Sequence, residues 1–276
     1  MTPAWATLLT TLATAASAPE AEAPRLVTLG AAVTEIVKDL GHADAIVGID
    51  STSREIDLGR DVEDVGFFRR VSAPGILSLK PTRVVALDDA GPPPVFDALE
   101  SAGVAVTRVE NATTVDEAID RIETLAALFD AEARGAELVN GIRSALDDVE
   151  RPESAPRVLF VYARGAGTLL VSGRDTSASS VIALAGGEPA ITEFEGFKPL
   201  SPEAVISAAP DILLLTEGGL SSLGGREAVE QHPVLGQTPA VETGRIVAVD
   251  DLRLLGFGPE LGEVVRELAE RFSKED

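Results

Sequence analysis

Short apolar runs alternate along the chain with longer segments whose apolar residues recur every three or four positions, the alternation expected of strands and helices in turn. RLVTLG at 25–30 reads as a buried strand, AAVTEIVKDLG as a helix closed by Gly41, and IVGID as the next strand. A long loop then leads into a short helix through Leu79, the strand RVVAL after Pro81, the helix VFDALESAG and the strand VAVTRV. The second half repeats this order, with RVLFVY at 157–162 as a strand, TSASSVIALAGG as a helix, and PEAVISAAPDILLL as a helix, a proline and a strand. ILSLKPTRVVAL (76–87) and VISAAPDILLL (205–215) share a helix end, a proline and an apolar β-rich run, so the two halves read as copies of one lobe.

Between the halves, apolar residues at 115, 119, 122, 126, 129, 133, 136, 139, 142, 146 and 149 keep helical spacing throughout. Thr114 and Glu117 form the pattern of a capping box. The segment 113–150 is therefore expected to be one connecting helix, ~50 Å long if unbroken, with Gly135 and Gly141 the positions that would divide it. The expected architecture is α/β, with lobes at 25–112 and 156–276, each a central mainly parallel sheet flanked by helices, and a cleft between them for a small ligand.

Charge narrows the ligands. With 45 acidic against 23 basic residues, the net charge of −22 repels nucleic acid and anionic membrane surfaces, and an anionic ligand must be met by a local basic cluster. The same acidity fits a salt-rich habitat. Met1–Ala18 is apolar and ends in small residues, the form of a secretory signal, and is shorter than the ~20 residues of a spanning helix; 19–24 reads as a linker. The chain has no Cys, which excludes disulfides, thiolate metal sites and a lipid-bearing cysteine, so an exported, unlipidated protein is expected.

One loop runs against this composition. GFFRRVSAPG at 66–75 sets Phe67 and Phe68 beside Arg69 and Arg70 in a chain with only 4% aromatic residues. Together with LVTLGAAVTEIVKDLG, IVGIDSTS, LVSGRDTSASSVIALAGG, PEAVISAAPDILLL and DDLRLLGFGPE, this loop resembles the periplasmic substrate-binding proteins that serve ABC importers of vitamin B12, siderophores and haem. The likeness covers nearly the whole chain after the leader and is nearest to the haem branch. It implies the two-lobed fold called class III among periplasmic binding proteins, a periplasmic monomer, haem as transported ligand and membrane permease subunits as partners. It implies no structural metal and no catalysis. On this resemblance Phe67 and Phe68 contact the flat macrocycle, and Arg69 meets a propionate or an anionic axial ligand.

The departures from the family pattern matter as much. Haem-binding relatives usually carry an iron-ligating Tyr where this chain has Phe67. The remaining donors are few: Tyr162, His42, His232 and Met1. Tyr162 ends its strand, the place where α/β sheets present ligand-contacting residues, and Arg164 two residues on supplies a cation beside a phenolate; Tyr162 is the candidate axial ligand. His42 and His232 read as surface residues, and without a cluster of metal-ligand spacing the zinc- and manganese-binding relatives fit poorly. Relatives dock on the permease through one acidic residue on each lobe. Glu203 matches the second-lobe position, Pro74 stands at the first, and Glu260 occupies a place where haem relatives often have Arg.

A corrinoid or ferric-siderophore ligand on the same fold is the alternative. An enzyme is the third reading, and the chain offers no G-x-S-x-G elbow, no P-loop and no motif-placed histidine base; EGGLSSLGG reads as a flexible loop.

Overall fold

The structure, a computed structural model, describes residues 23–163 and 169–274. The expected signal at 1–18, residues 19–22 of the linker, and Arg164 lie outside the described residues. In the first lobe β1 (Leu26–Leu29), β2 (Ile46–Ile49), β3 (Glu63–Asp64), β4 (Arg83–Leu87) and β5 (Ala105–Val109) form one parallel sheet in the order β3-β2-β1-β4-β5. All four residues of β1 are buried, as a strand covered on both faces requires. α1 (Ala31–Val37), α2 (Ala73–Ser78) and α3 (Pro94–Ser101) provide the cover.

Because β1 has β2 on one side and β4 on the other, the chain leaves the carboxyl end of the sheet in opposite directions there, which opens a crevice. Gly30 makes the turn out of β1 at φ 112°, and a Cβ on it would stand 2.5 Å from the Leu87 side chain. Buried Asp50, at the end of β2, holds this edge together. Its carboxylate accepts from the amide of Gly30 (2.9 Å), the amide and hydroxyl of Thr52 (3.0 and 2.7 Å) and the hydroxyl of Ser53 (3.0 Å).

The second lobe contains β6 (Arg157–Ala163), β7 (Leu169–Ser172), β8 (Glu188–Pro189), β9 (Phe197–Pro199), β10 (Ile212–Thr216) and β11 (Ile246–Val249). Its order is β11-β10-β6-β7-β9, with β8 also on β6; pairing is parallel except at β7, which runs against both β6 and β9. α6 (Ser177–Leu184), α7 (Pro202–Ala208), α8 (Glu217–Leu223), α9 (Arg226–Glu230), α10 (Pro239–Glu242), α11 (Asp251–Leu255) and α12 (Leu261–Ser273) complete it, after α4 (Val115–Leu128) and α5 (Glu132–Asp147).

The segment expected as one helix over 113–150 is two, α4 and α5, so the expected length needs correction. The capping box at Thr114 and Glu117 is present at the start of α4. Asp130 at φ 53° turns the chain between them, while Gly135, a proposed break, is a contact point: a Cβ there would stand 2.5 Å from that of Ala126. Apolar spacing runs through the turn because each helix buries its own face. α5 lies between β5 and β6 in the chain and touches residues of both halves. Near its start Arg134 donates to the Asp39 carbonyl of the first lobe, and near its end Ala145 meets Gly262 of α12. At 16 residues it spans roughly 24 Å.

The repeat seen in the sequence is also a repeat of backbone. Ser72 and Ser201 cap α2 and α7, and Lys80 (φ 49°) and Ala209 (φ 41°) take left-handed conformations just before Pro81 and Pro210. EGGLSSLGG, expected as a loop, forms α8, because Thr216 caps its first turn and Gly224 closes it in a left-handed conformation. Among the described residues no helix is long and apolar enough to cross a membrane.

Candidate functional site

The carboxyl ends of the two sheets face each other across a cleft of about 410 Å³. From the first lobe it takes Gly30, Ala31, Thr52, Leu87, Asn111 and the Phe67–Arg69 loop. From the second it takes Tyr162, Leu170, Ser177, Phe197 and residues of α11 with Gly256. The lining is mostly apolar. Arg69 is its one cation and Asp251 its one anion among the described residues.

The loop that carries Phe67 and Phe68 is held by its backbone. Ser51 donates to the Gly66 carbonyl (3.0 Å), Gly91 to the Phe68 carbonyl (2.9 Å) and Val71 to the Gly91 carbonyl (3.1 Å). Phe68 is buried at 7% exposure, whereas Phe67 is half-buried and meets it edge-on with ring centroids 4.9 Å apart. The Arg69 guanidinium lies 4.8 Å from the centre of the Phe68 ring and pairs with Asp89. Arg70 is exposed and does not line the cleft.

Opposite, Tyr162 is half-buried in β6, paired with Leu170 of β7. Its ring is 6.1 Å from Phe197, which is 6.2 Å from Phe160 beneath. Phe197 is 41% exposed, an unusual state for a large apolar ring, and it faces the cleft. Phe67, Phe68, Arg69 and Tyr162 are therefore brought to one cavity. Sequence reasoning missed Phe197, Asn111 and Leu252; Asn111 and Leu252 follow β5 and β11 at the carboxyl edges of their sheets, the one signal that marks them, whereas Phe197 opens the short strand β9 and carries no such signal.

The other candidates lie elsewhere. Glu203 is exposed in the first turn of α7, where the hydroxyl of Ser201 donates to it at 2.9 Å; its own backbone amide and that hydroxyl hold its carboxyl below the usual range. Pro74 is exposed in the equivalent turn of α2. The histidines, expected at the surface, are half-buried. His42 stacks on Phe129 at 4.8 Å, and His232 accepts the amides of Val234 and Leu235 at 3.2 Å through Nδ1, with burial lowering its pKa. Neither lines the cleft. Among the described residues no group of three or more His, Cys, Asp or Glu is placed to hold a metal ion.

Beneath the cleft the lobes meet through buried charge. Arg121 of α4, 2% exposed, donates from Nη2 to the carbonyls of Gly256 (2.9 Å) and Phe257 (2.5 Å). Burial pushes its pKa down to about 10, against the carboxylates of Glu35 and Glu117. Glu35 of α1 is raised to about 7, chiefly by burial and then by Glu260 and Asp39, with Lys38 and Arg121 opposing. Glu260 itself lies 2.8 Å from Nε of Arg253 and does not line the cleft.

Residues 26–252 match the model of a family described as periplasmic binding protein. Among solved structures, the periplasmic haem-binding protein RhuT from Roseiflexus sp. RS-1, in apo form, is 38% identical, with 91% of this chain and 98% of that chain covered and a TM-score of 0.86. Two curated relatives are each 26% identical. One is YvrC of Bacillus subtilis, an uncharacterised ABC transporter substrate-binding lipoprotein, with 90% of this chain and 80% of its own length covered. The other is the cobalamin-binding protein of Halobacterium salinarum, with 92% and 70% covered.

Proposed function

The chain belongs to the periplasmic binding protein family, and from that membership we propose that it captures haem in the interlobe cleft and delivers it to an ABC permease. The observation that carries this reading is a cleft walled by Phe67, Phe68 and Phe197, with a phenol on one lobe and a guanidinium on the other. A flat apolar macrocycle suits the rings, a ferric centre suits the Tyr162 oxygen, and a propionate suits Arg69. Likeness to a haem-binding protein along nearly the full length supports the same ligand.

In this reading Tyr162 ligates the iron in place of the tyrosine that relatives carry where this chain has Phe67, and Arg164 stabilises the phenolate. The chain acts as an exported monomer led by a cleaved signal at 1–18, without a lipid anchor. It docks through Glu203 on one lobe tip, while Pro74 on the other adds no charge. A corrinoid is the second reading, favoured by the cobalamin-binding relative and by the scarcity of cations in the cleft lining.

Titration of the purified protein with hemin, read in the Soret and charge-transfer bands beside Tyr162→Phe, tests the proposal. A saturable shift whose charge-transfer band disappears in the variant is the expected result. Absence of a shift, with saturable binding of cobalamin, would replace haem by a corrinoid.

A further inference from the structure

We infer that Asp89 is a positioning residue for ligand capture, holding the Arg69 guanidinium on the cleft rim in the attitude that receives one carboxylate of the ligand. The inference rests on the haem reading, because it concerns the acid groups of that ligand. Asp89 follows β4 and does not itself line the cleft, whereas Arg69 and Asn111 do. One carboxylate oxygen, Oδ2 of Asp89, takes both Nη2 of Arg69 and, at 3.2 Å, Nδ2 of Asn111. Asn111 is tied down in turn through its amide to Oδ1 of Asp88 at 3.2 Å. The other face of the guanidinium is set by the Phe68 ring, at 4.8 Å, and Phe68 is fixed by the core.

Both members of the Arg69–Asp89 pair reach solvent, with side chains 51% and 32% exposed. An ion pair so placed contributes little to stability, so its use lies elsewhere. A free arginine samples many rotamers and must give them up when a ligand arrives. Anchored at Nη2 and stacked on Phe68, Arg69 has lost much of that freedom beforehand, and its Nε and Nη1 bond to nothing else among the described residues. Such an arrangement favours a planar acid over a bare point charge. It matters here because Arg69 is the one cation among the described residues lining the cleft of a chain with a net charge of −22.

The test sets Asp89→Asn against the ligand's own carboxylates, comparing hemin with hemin dimethyl ester on the full protein. The wild type should bind both. The variant should bind hemin roughly five- to tenfold more weakly and the ester within about twofold of wild type, since the ester has no acid for Arg69 to receive. Its thermal midpoint should stay unchanged, as befits an exposed pair. Equal losses for acid and ester would mean that Asp89 merely shapes the cleft, and tighter hemin binding would mean that it competes with the ligand for Arg69; either overturns the inference and leaves the haem reading standing. A wild type that binds neither compound overturns both.

Discussion

Glu35 and Gly258 meet across the joint between the lobes so closely that a Cβ on Gly258 would stand 2.2 Å from Oε2 of Glu35. The carboxyl is buried, at 7% exposure, among Glu260, Asp39, Lys38 and Arg121, and its pKa is raised to about 7. Since the folded value exceeds the ordinary 4.5, the native state prefers the neutral acid. Stability is therefore undiminished below about pH 4.5, falls as pH rises toward 7 and levels off above it. Glu35→Gln keeps the shape and removes the charge, so at pH 8 it should be more stable than wild type by about 3 kcal/mol at most, with the gain gone near pH 4.5. Denaturant unfolding across that range reads it, and a gain independent of pH would contradict the account.

The two phenylalanines on opposite walls should behave differently. Phe68 is a core residue, and Phe68→Ala should cost about 3 kcal/mol of stability or more. Phe197 is 41% exposed, so Phe197→Ala should change stability by less than about 1 kcal/mol while weakening ligand binding roughly tenfold. Parallel melting and titration curves separate the two effects. A Phe197 variant that melts early but binds normally would remove that ring from the site.

Asp50 joins the turn after β1 to the loop after β2 through four donated hydrogen bonds. Asp50→Ala takes the carboxylate acceptor away from the amides of Gly30 and Thr52 and the hydroxyls of Thr52 and Ser53, a loss of about 2–4 kcal/mol in urea unfolding. Because Gly30 and Thr52 line the cleft, ligand affinity should fall with it. Unchanged stability would show that water replaces the carboxylate.

Much of this architecture was legible because strands buried on both faces read as short apolar runs and helices carry their own period. RLVTLG and RVLFVY became β1 and β6, and the capping box at Thr114 opened α4. The same period concealed the turn at Asp130, since two helices packed on one core repeat their apolar residues as one long helix would. EGGLSSLGG misled for the opposite reason: its glycines hid a helix that depends on the Thr216 cap and on packing. The cleft was half legible. Phe67, Phe68 and Arg69 stood out by local contrast, and Tyr162 by its place at a strand end. Phe197, Asp89 and Asn111 come to the rim from separate segments, and only the folded chain relates them.

Lys80 and Ala209 share a left-handed backbone at matching joints, though one is a long cation and the other a methyl. Neither side chain favours that conformation, which costs a non-glycine residue roughly 1 kcal/mol. What the two halves have kept in common is thus the path of the chain from helix to strand. The joint constrains direction and leaves chemistry open: two lobes that take the same bend can present an arginine on one wall of the cleft and a tyrosine on the other.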